Sequence, residues 1–201
     1  RDYDAAMALA QAYARERRAR FVNPCLGDDL LAGQGTVALE ILSELPDVAS
    51  VVVSVGGGGL AGGIGGFLRP VAPSVRLAGA QSIETAAMAR SLAAGRVVEI
   101  ASTPTLADGL AGQIDDAGLA IGRAALDEVV TVTEAEIAAT IAMLAAEEQM
   151  VVEGSGAAAA AAVLHGRLSL LPTPAAIVVS GGNIDPARHE AVVRAGAAWT
   201  G

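Results

Sequence analysis

The chain has 201 residues, of which 53% are apolar and 17% charged, and its net charge is −9. This length and apolar content indicate a compact protein with one good core or two modest ones, and exclude a disordered chain. The negative charge and an aromatic content of 2% argue against a nucleic-acid partner, and no apolar run reaches the ~20 residues of a membrane span. The single cysteine, Cys25, excludes an internal disulfide, and no secretory leader pattern opens the chain, so we expect a cytoplasmic protein.

Helix-type and strand-type patterns alternate along the chain. Near the start, Ala6, Leu9, Ala10, Tyr13 and Ala14 recur at helical spacing and predict a surface helix. In chain order, we predict a helix over 4–20, a strand over 20–22, a loop over 23–29, a helix over 36–45, strands over 51–55 and 75–80, a helix over 84–94, a strand over 128–132, helices over 134–149 and 157–164, a strand over 175–179 and a last helix from 186 to about 195.

Two helix starts carry specific end signals. Thr133 and Glu136 fit a capping box, and Asp185 followed by Pro186 supplies an N-cap and a proline at the first helical position. The strands lack the strict alternation of a half-exposed sheet. The sequence therefore predicts an α/β fold, an open and mostly parallel sheet with helices on both faces.

Four consecutive glycines, Gly56, Gly57, Gly58 and Gly59, follow the strand over 51–55 and lead into Leu60. Without Cβ atoms, the backbone can reach positive φ and bring its N–H groups against a ligand, and a following helix adds unpaired donors and the positive end of its dipole. This arrangement predicts a phosphate site. All thirteen basic residues are arginine and the chain has no lysine, which excludes a Walker A loop and leaves an uncharged site.

A second loop, 180–183, also leaves the carboxyl end of an apolar strand. In an open α/β sheet that edge is where ligands bind, so we expect both loops to face one ligand. Ser180 to Asn183 alone would be read as a simple turn.

Five motifs together resemble the fold-type II pyridoxal-phosphate enzymes, specifically the serine/threonine dehydratase and serine racemase group. They occur in the order and at the spacing of that group: Ala-Gly-Gln-Gly-Thr over 32–36 with Glu40, the glycine loop over 55–60, Thr-Leu-Ala-Asp-Gly over 105–109, Val-Glu-Gly-Ser-Gly over 152–156, and the loop over 180–185.

The resemblance implies a role for each site residue. The backbone of Gly56 to Leu60 would hold the phosphate of pyridoxal 5′-phosphate, and Ser180 would hydrogen-bond the pyridine nitrogen. Gly109 and Glu153 match positions that line the ring, although Glu153 is equally well read as a solvated carboxylate at a helix start. The loop behind the ring would include Gly181, Gly182 and Asn183.

The same resemblance exposes a conflict. The family holds its cofactor as a Schiff base on a lysine that lies upstream of these motifs, so we expect no catalytic residue in this chain and read it as a fragment. Residues 1–30 would be the end of a small domain and 31–201 most of a large cofactor-binding domain. Gln81 and Ala87 stand where metal-dependent members have acidic ligands, so we expect no metal.

The activity that the resemblance implies is β-elimination from L-serine or L-threonine, giving a 2-oxo acid and ammonia, in a homo-oligomer such as a dimer. Three alternatives stay open: a serine racemase on the same scaffold, a nicotinamide-dinucleotide oxidoreductase suggested by G-x-G-x-x-G over 57–62, and a non-catalytic ligand-binding subunit.

Overall fold

The computed structural model describes residues 3–101 and 103–198. The outer ends of the two predicted domains, at residues 1 and 201, lie outside the described residues. The helices are α1 (Tyr3–Arg17), α2 (Asp28–Glu44), α3 (Gly59–Val71), α4 (Ala87–Ala94), α5 (Asp116–Ala125), α6 (Glu134–Glu147), α7 (Gly154–Leu164) and α8 (Pro186–Ala197), and the strands are β1 (Ser50–Ser54), β2 (Arg76–Ser82), β3 (Glu128–Val132) and β4 (Ala175–Ile177).

The strands form one sheet in the order β3-β2-β1-β4, with every pairing parallel. Val52 of β1 is in register with Ala78 of β2 and with Ile177 of β4. The predicted α/β architecture is therefore confirmed. The carboxyl ends of β1 and β4 lie side by side, which places the glycine loop and the loop after β4 at the same edge.

Both faces of the sheet are covered. Val51 and Val53 of β1 are fully buried in the cluster that includes Ile64 and Leu68 of α3. Val52 points the other way and packs with Ala78 and with Ala159 of α7. Alternate residues of one strand thus meet helices on opposite sides, as expected for a buried parallel sheet.

Two predictions near the start of the chain are wrong. Residues 20–22 form no strand, because no described strand runs beside them to share hydrogen bonds. Helix α2 begins at Asp28, not at residue 36, so part of the predicted loop is helical. Asp28 and Asp29 are acidic residues in its first turn, where the helix dipole favours them. The predicted domain boundary after residue 30 falls inside this first turn and stays a prediction.

The sequence patterns predicted no helix over 116–125, so helix α5 was missed. Asp115 is its N-cap, and its carboxylate accepts a hydrogen bond of 2.8 Å from the N–H of Gly118. Gly118 and Gly122 weaken the helix signal in the sequence. Both are needed for packing, since a Cβ on Gly122 would overlap the Met88 side chain and one on Gly118 would lie 3.1 Å from the carbonyl oxygen of Gly57.

The other helix and strand predictions are confirmed, with shifted ends. The capping box at Thr133 and Glu136 is present in both directions, and the Asp185 carboxylate accepts hydrogen bonds at the start of α8. The predicted helix over 84–94 is split into a 3-10 turn over Ile83–Thr85 and α4.

The apolar side of α1 is only partly covered, with Leu9 66% and Tyr13 57% exposed. No helix in the described part of the chain has the length and apolar character to cross a membrane.

A buried carboxylate joins α6 to the segment after α7. Glu136 is 3% exposed and accepts hydrogen bonds from the Arg167 guanidinium, at 2.7 Å from Nε, and from the N–H of Thr133, also at 2.7 Å. Burial raises the pKa of Glu136, but the hydrogen bonds from Arg167 and Thr133 outweigh it and hold the pKa below its ordinary value.

Arg167→Ala is expected to lower the free energy of unfolding at pH 7 by about 1–3 kcal/mol, because Glu136 would stay buried without its charged partner. In the wild type, a lowered folded-state pKa means that this stabilisation is present above the ordinary value of 4.5 and is lost as the pH falls below it. Urea unfolding between pH 7 and 3 should therefore show a shallower pH dependence in the variant. Arg194→Ala, in an exposed pair with Glu190, is the control and should change stability by under about 0.5 kcal/mol; equal losses would contradict the assignment.

Candidate functional site

The glycine loop connects the end of β1 to the start of α3. Gly58 is the N-cap of α3 and has φ 98°, in the left-handed region that favours glycine. The first helical hydrogen bond runs from the N–H of Gly62 to the carbonyl of Gly58, at 2.7 Å. The loop therefore turns sharply from the strand into the helix and places its amides at the helix N-terminus.

In the part of the chain that the structure describes, these amides have no acceptor. Among residues 3–101 and 103–198, no hydrogen bond is donated by the backbone N–H groups of Gly56, Gly57, Gly58, Gly59 or Leu60. Gly58 and Gly59 are buried, and buried backbone donors are nearly always paired. Unpaired amides at the start of a helix are also where anions bind, so the loop is a candidate anion site.

The loop over Pro24 and Cys25 lies directly against these glycines. A Cβ on Gly57 would lie 2.6 Å from Cys25 Sγ, and a Cβ on Gly59 would lie 3.1 Å from the carbonyl oxygen of Cys25. Between the two loops is a cavity of about 180 Å³ whose lining includes Gly56 to Leu60. A side chain at 57 would therefore displace the Cys25 side chain, and one at 59 would press on the Cys25 backbone.

The segment before α5 closes another side of the site. Gly56 faces it closely, since a Cβ there would lie 3.3 Å from the Cα of Leu110. Gly109 and Leu110 line the 180 Å³ cavity and also a neighbouring cavity of about 400 Å³ that extends toward Asn23 and Gln113. The two cavities also share Pro24, Cys25 and Gly57. Together they form one cleft at the carboxyl edge of the sheet.

The loop after β4 reaches the same cleft through Ser180. Ser180 is exposed and lines the smaller cavity. Gly181 is held against the start of α7, where its carbonyl accepts a hydrogen bond of 3.1 Å from the N–H of Glu153. A Cβ on Gly156 would overlap that carbonyl oxygen, and a Cβ on Gly181 would overlap the Glu153 carboxylate.

Glu153 is half-buried at this junction. Burial raises the pKa of its carboxyl, and the negative charge of Asp108 raises it further. Asp108 itself pairs with Arg188 of α8, at 2.8 Å. The protonated form of Glu153 is therefore favoured more than in an exposed glutamate.

The structure brings most of the predicted site residues together. The lining of the small cavity includes Gly56, Gly57, Gly58, Gly59, Leu60, Gly109 and Ser180. Glu153 and Gly181 contact each other behind it, whereas Asn183 is exposed and is not among the lining residues. The cofactor contacts of all these residues stay predictions.

Two features of the site were not predicted. Cys25 lies over Gly57, 32 positions away in the sequence, and Ser155 fixes the Gly109 backbone. Both contacts depend on how the elements pack. The only signal was that Ser155 lies within the motif over 152–156, whereas Cys25 lies in none of the five motifs.

Gln81, which stands where metal-dependent members of the family have an acidic ligand, has a structural role in this chain. Gln81 is fully buried at the end of β2, and its Oε1 accepts a hydrogen bond of 2.9 Å from the N–H of Ala89. Its amide therefore joins β2 to α4. In the described ranges, no three His, Cys, Asp or Glu side chains come together as metal ligands.

A cleft at the carboxyl edge of a parallel sheet, lined by an uncharged glycine loop and by a serine, is the arrangement in which α/β proteins bind phosphorylated ligands. The family described as "Pyridoxal-phosphate dependent enzyme" matches residues 1–181. This chain belongs to that family, and its fold is that of the fold-type II members.

Individual relatives agree with the family assignment. The chain is 41% identical over 197 residues to an L-threonine ammonia-lyase of Geobacter sulfurreducens, covering 98% of this chain and 49% of that protein. It is 38% identical over 200 residues to an L-threonine ammonia-lyase of Thermotoga maritima, covering 99% and 50%. The solved structure of maize serine racemase matches with a TM-score of 0.87 and 29% identity, covering 96% of this chain and 60% of that one. The chain spans about half the length of the curated relatives it matches.

Proposed function

We propose that this chain is the cofactor-binding part of a pyridoxal-phosphate-dependent ammonia-lyase that converts L-serine or L-threonine to a 2-oxo acid and ammonia. The observation that carries the proposal is a row of five backbone N–H groups that donate to no acceptor among the described residues, in a loop that lines the same cavity as Ser180. The names of the two ammonia-lyases support the substrate class.

The residues present fit the cofactor. A phosphate dianion would receive hydrogen bonds from the amides of Gly56 to Leu60 and would lie at the positive end of the α3 dipole. Side chains at 57 and 59 would lie tightly against Cys25, and with glycine at both positions the backbone itself would form the cradle. A cavity of about 180 Å³ holds a group of several heavy atoms.

The chemistry that the cofactor supplies when bound is an electron sink for the charge that develops at the substrate Cα. Ser180 would hydrogen-bond the ring nitrogen with a neutral hydroxyl, which does not stabilise a protonated ring as a carboxylate does. This weaker sink suits β-elimination, in which the electron pair leaves with the hydroxyl group. The substrate first loses its β-hydroxyl group as water. Hydrolysis of the resulting unsaturated amino acid then consumes one water molecule and releases the 2-oxo acid and ammonia. The chain has no lysine, so the base that takes the Cα proton lies outside these 201 residues.

Serine racemisation is the second candidate, favoured by the structural match to maize serine racemase over 96% of this chain. It needs a second acid–base group on the opposite face of the substrate, and we place that group outside these residues too.

The oxidoreductase alternative is disfavoured by the family and by one residue. A dinucleotide site needs an acid at the end of the strand after the glycine loop. Gln81 stands there, fully buried, with its Oε1 bonded to the Ala89 N–H and its Nε2 3.5 Å from the Thr85 carbonyl. We also propose a cytoplasmic location, which the single cysteine favours, and a homodimer, which the resemblance implies.

The experiment that tests the proposal uses the protein translated from the coding region that includes sequence upstream of this chain. With pyridoxal 5′-phosphate, we expect 2-oxo acid to form from L-threonine or L-serine, and replacement of the upstream lysine by alanine should abolish it. D-serine as the main product would favour the racemase. A coding region that holds no upstream lysine would overturn the lyase and favour the non-catalytic subunit.

A further inference from the structure

The segment from Thr105 to Leu110 delivers Gly109 and Leu110 to both cavities of the cleft. It contains a single 3-10 turn, over Asp108–Leu110, and otherwise has no regular structure. Its position against the glycine loop must therefore be fixed by side chains from other elements.

Glu134 of α6 fixes the start of this segment. One carboxylate oxygen accepts hydrogen bonds from Thr105 Oγ1, at 2.7 Å, and from Ser82 Oγ, at 2.5 Å. The other accepts from the N–H of Leu106, at 2.5 Å. Helix α6 is capped by Thr133 and Glu136, so Glu134 is not needed for capping and its carboxylate ties the segment to the end of β2.

Ser155 of α7 fixes the end of the segment. Its side chain is 5% exposed, and its Oγ accepts a hydrogen bond of 2.8 Å from the N–H of Gly109. The preceding residue, Gly154, lies so close to the segment that a Cβ there would overlap the carbonyl oxygen of Leu106. The first turn of α7 therefore packs directly on the segment. The serine hydroxyl is the polar contact that fixes the position of the Gly109 backbone relative to α7.

We infer that Ser155 and Glu134 are positioning residues that hold Gly109 at the wall of the cofactor cleft. Neither is among the residues that line the described cavities, so each acts through the Thr105–Leu110 backbone. The effect on cofactor affinity rests on the proposed function, whereas the effect on the backbone does not. Loss of either contact should loosen the wall and weaken binding of pyridoxal 5′-phosphate without removing any group that touches it.

Ser155→Ala is the test, read out by amide hydrogen exchange in the ligand-free 201-residue chain and by titration with pyridoxal 5′-phosphate. We expect the Gly109 amide to exchange at least tenfold faster and the affinity to fall about tenfold, as one lost hydrogen bond to a buried hydroxyl implies. Ser91→Ala is the matched control, because Ser91 is also fully buried and its Oγ accepts a hydrogen bond of 3.0 Å from a loop amide, that of Val98, away from the cleft. Ser91→Ala should leave both the exchange rate of the Gly109 amide and the affinity for pyridoxal 5′-phosphate unchanged.

Glu134→Ala tests the other end of the Thr105–Leu110 segment independently. In this variant the Leu106 amide should exchange faster, while the amides of α6 should exchange as slowly as in the wild type. Unchanged exchange at Gly109 in Ser155→Ala, or equal acceleration in Ser91→Ala, overturns the inference. If Ser155→Ala does not fold, the Leu106 amide in Glu134→Ala decides in the same way. A wild-type chain that binds no cofactor would contradict the proposed function, while the exchange rates would still decide whether these side chains position the segment.

Discussion

Gly57→Asp is expected to abolish binding of pyridoxal 5′-phosphate, with a loss of affinity of more than about a hundredfold. The Cβ would lie 2.6 Å from Cys25 Sγ, so the Pro24–Cys25 loop or the glycine loop must move. The added carboxylate would also bring a negative charge beside a phosphate dianion where no lysine compensates it. Like charges in a partly enclosed site repel by several kcal/mol, and about 2.8 kcal/mol corresponds to a hundredfold. Titration followed by cofactor absorbance measures the change.

Gly66→Ala is the matched control for this prediction. Gly66 lies in α3, the helix that follows the glycine loop, and a Cβ there meets no atom within 4 Å. Alanine should leave binding unchanged and raise the free energy of unfolding by about 0.5–1 kcal/mol, because it restricts the unfolded chain and favours the helix. Full binding by Gly57→Asp would show that the phosphate lies elsewhere.

Gly156→Ala is expected to destabilise the fold by about 1–3 kcal/mol, the range for overpacking a tight interior. The new Cβ would overlap the carbonyl oxygen of Gly181 and lie 2.8 Å from its nitrogen. Both atoms belong to the backbone, so a side-chain rotation cannot relieve the contact, and the loop that carries Ser180 must shift. Urea unfolding measures the loss of stability, and a weaker affinity for pyridoxal 5′-phosphate should accompany it.

Gly33→Ala is the control for that substitution. Gly33 is exposed in α2, with nothing within 4 Å of a Cβ, so alanine there should stabilise rather than destabilise. If Gly156→Ala were as stable as the wild type, the close approach of α7 to the loop after β4 would be wrong.

The glycine loop was predictable from the sequence because its signal is local. A buried strand, four residues without Cβ atoms and a helix start specify the turn and the direction of its amides within a dozen positions. The helix starts at Thr133 and Asp185 were predictable for the same reason, since a cap involves residues three positions apart at most.

The contacts that enclose the cleft were not predictable in this way. Cys25 meets Gly57, and Ser155 meets Gly109 from 46 positions away, only after α2, α3 and α7 have packed. Helix α5 was missed because its glycines serve packing against Met88 and the glycine loop, a tertiary requirement that overrides helix propensity. The resemblance to a family placed these segments in one site, but not the individual contacts.

The central claim is that uncharged backbone amides bind the phosphate of the cofactor. It is tested most directly by following the backbone amide NMR signals of the ¹⁵N-labelled chain during titration with pyridoxal 5′-phosphate, and in parallel with pyridoxal, which lacks the phosphate. The account predicts large shifts at Gly56 to Leu60 with the phosphorylated ligand and much smaller ones with pyridoxal at the same concentration. Equal shifts with both ligands, or shifts confined to other segments, would contradict it.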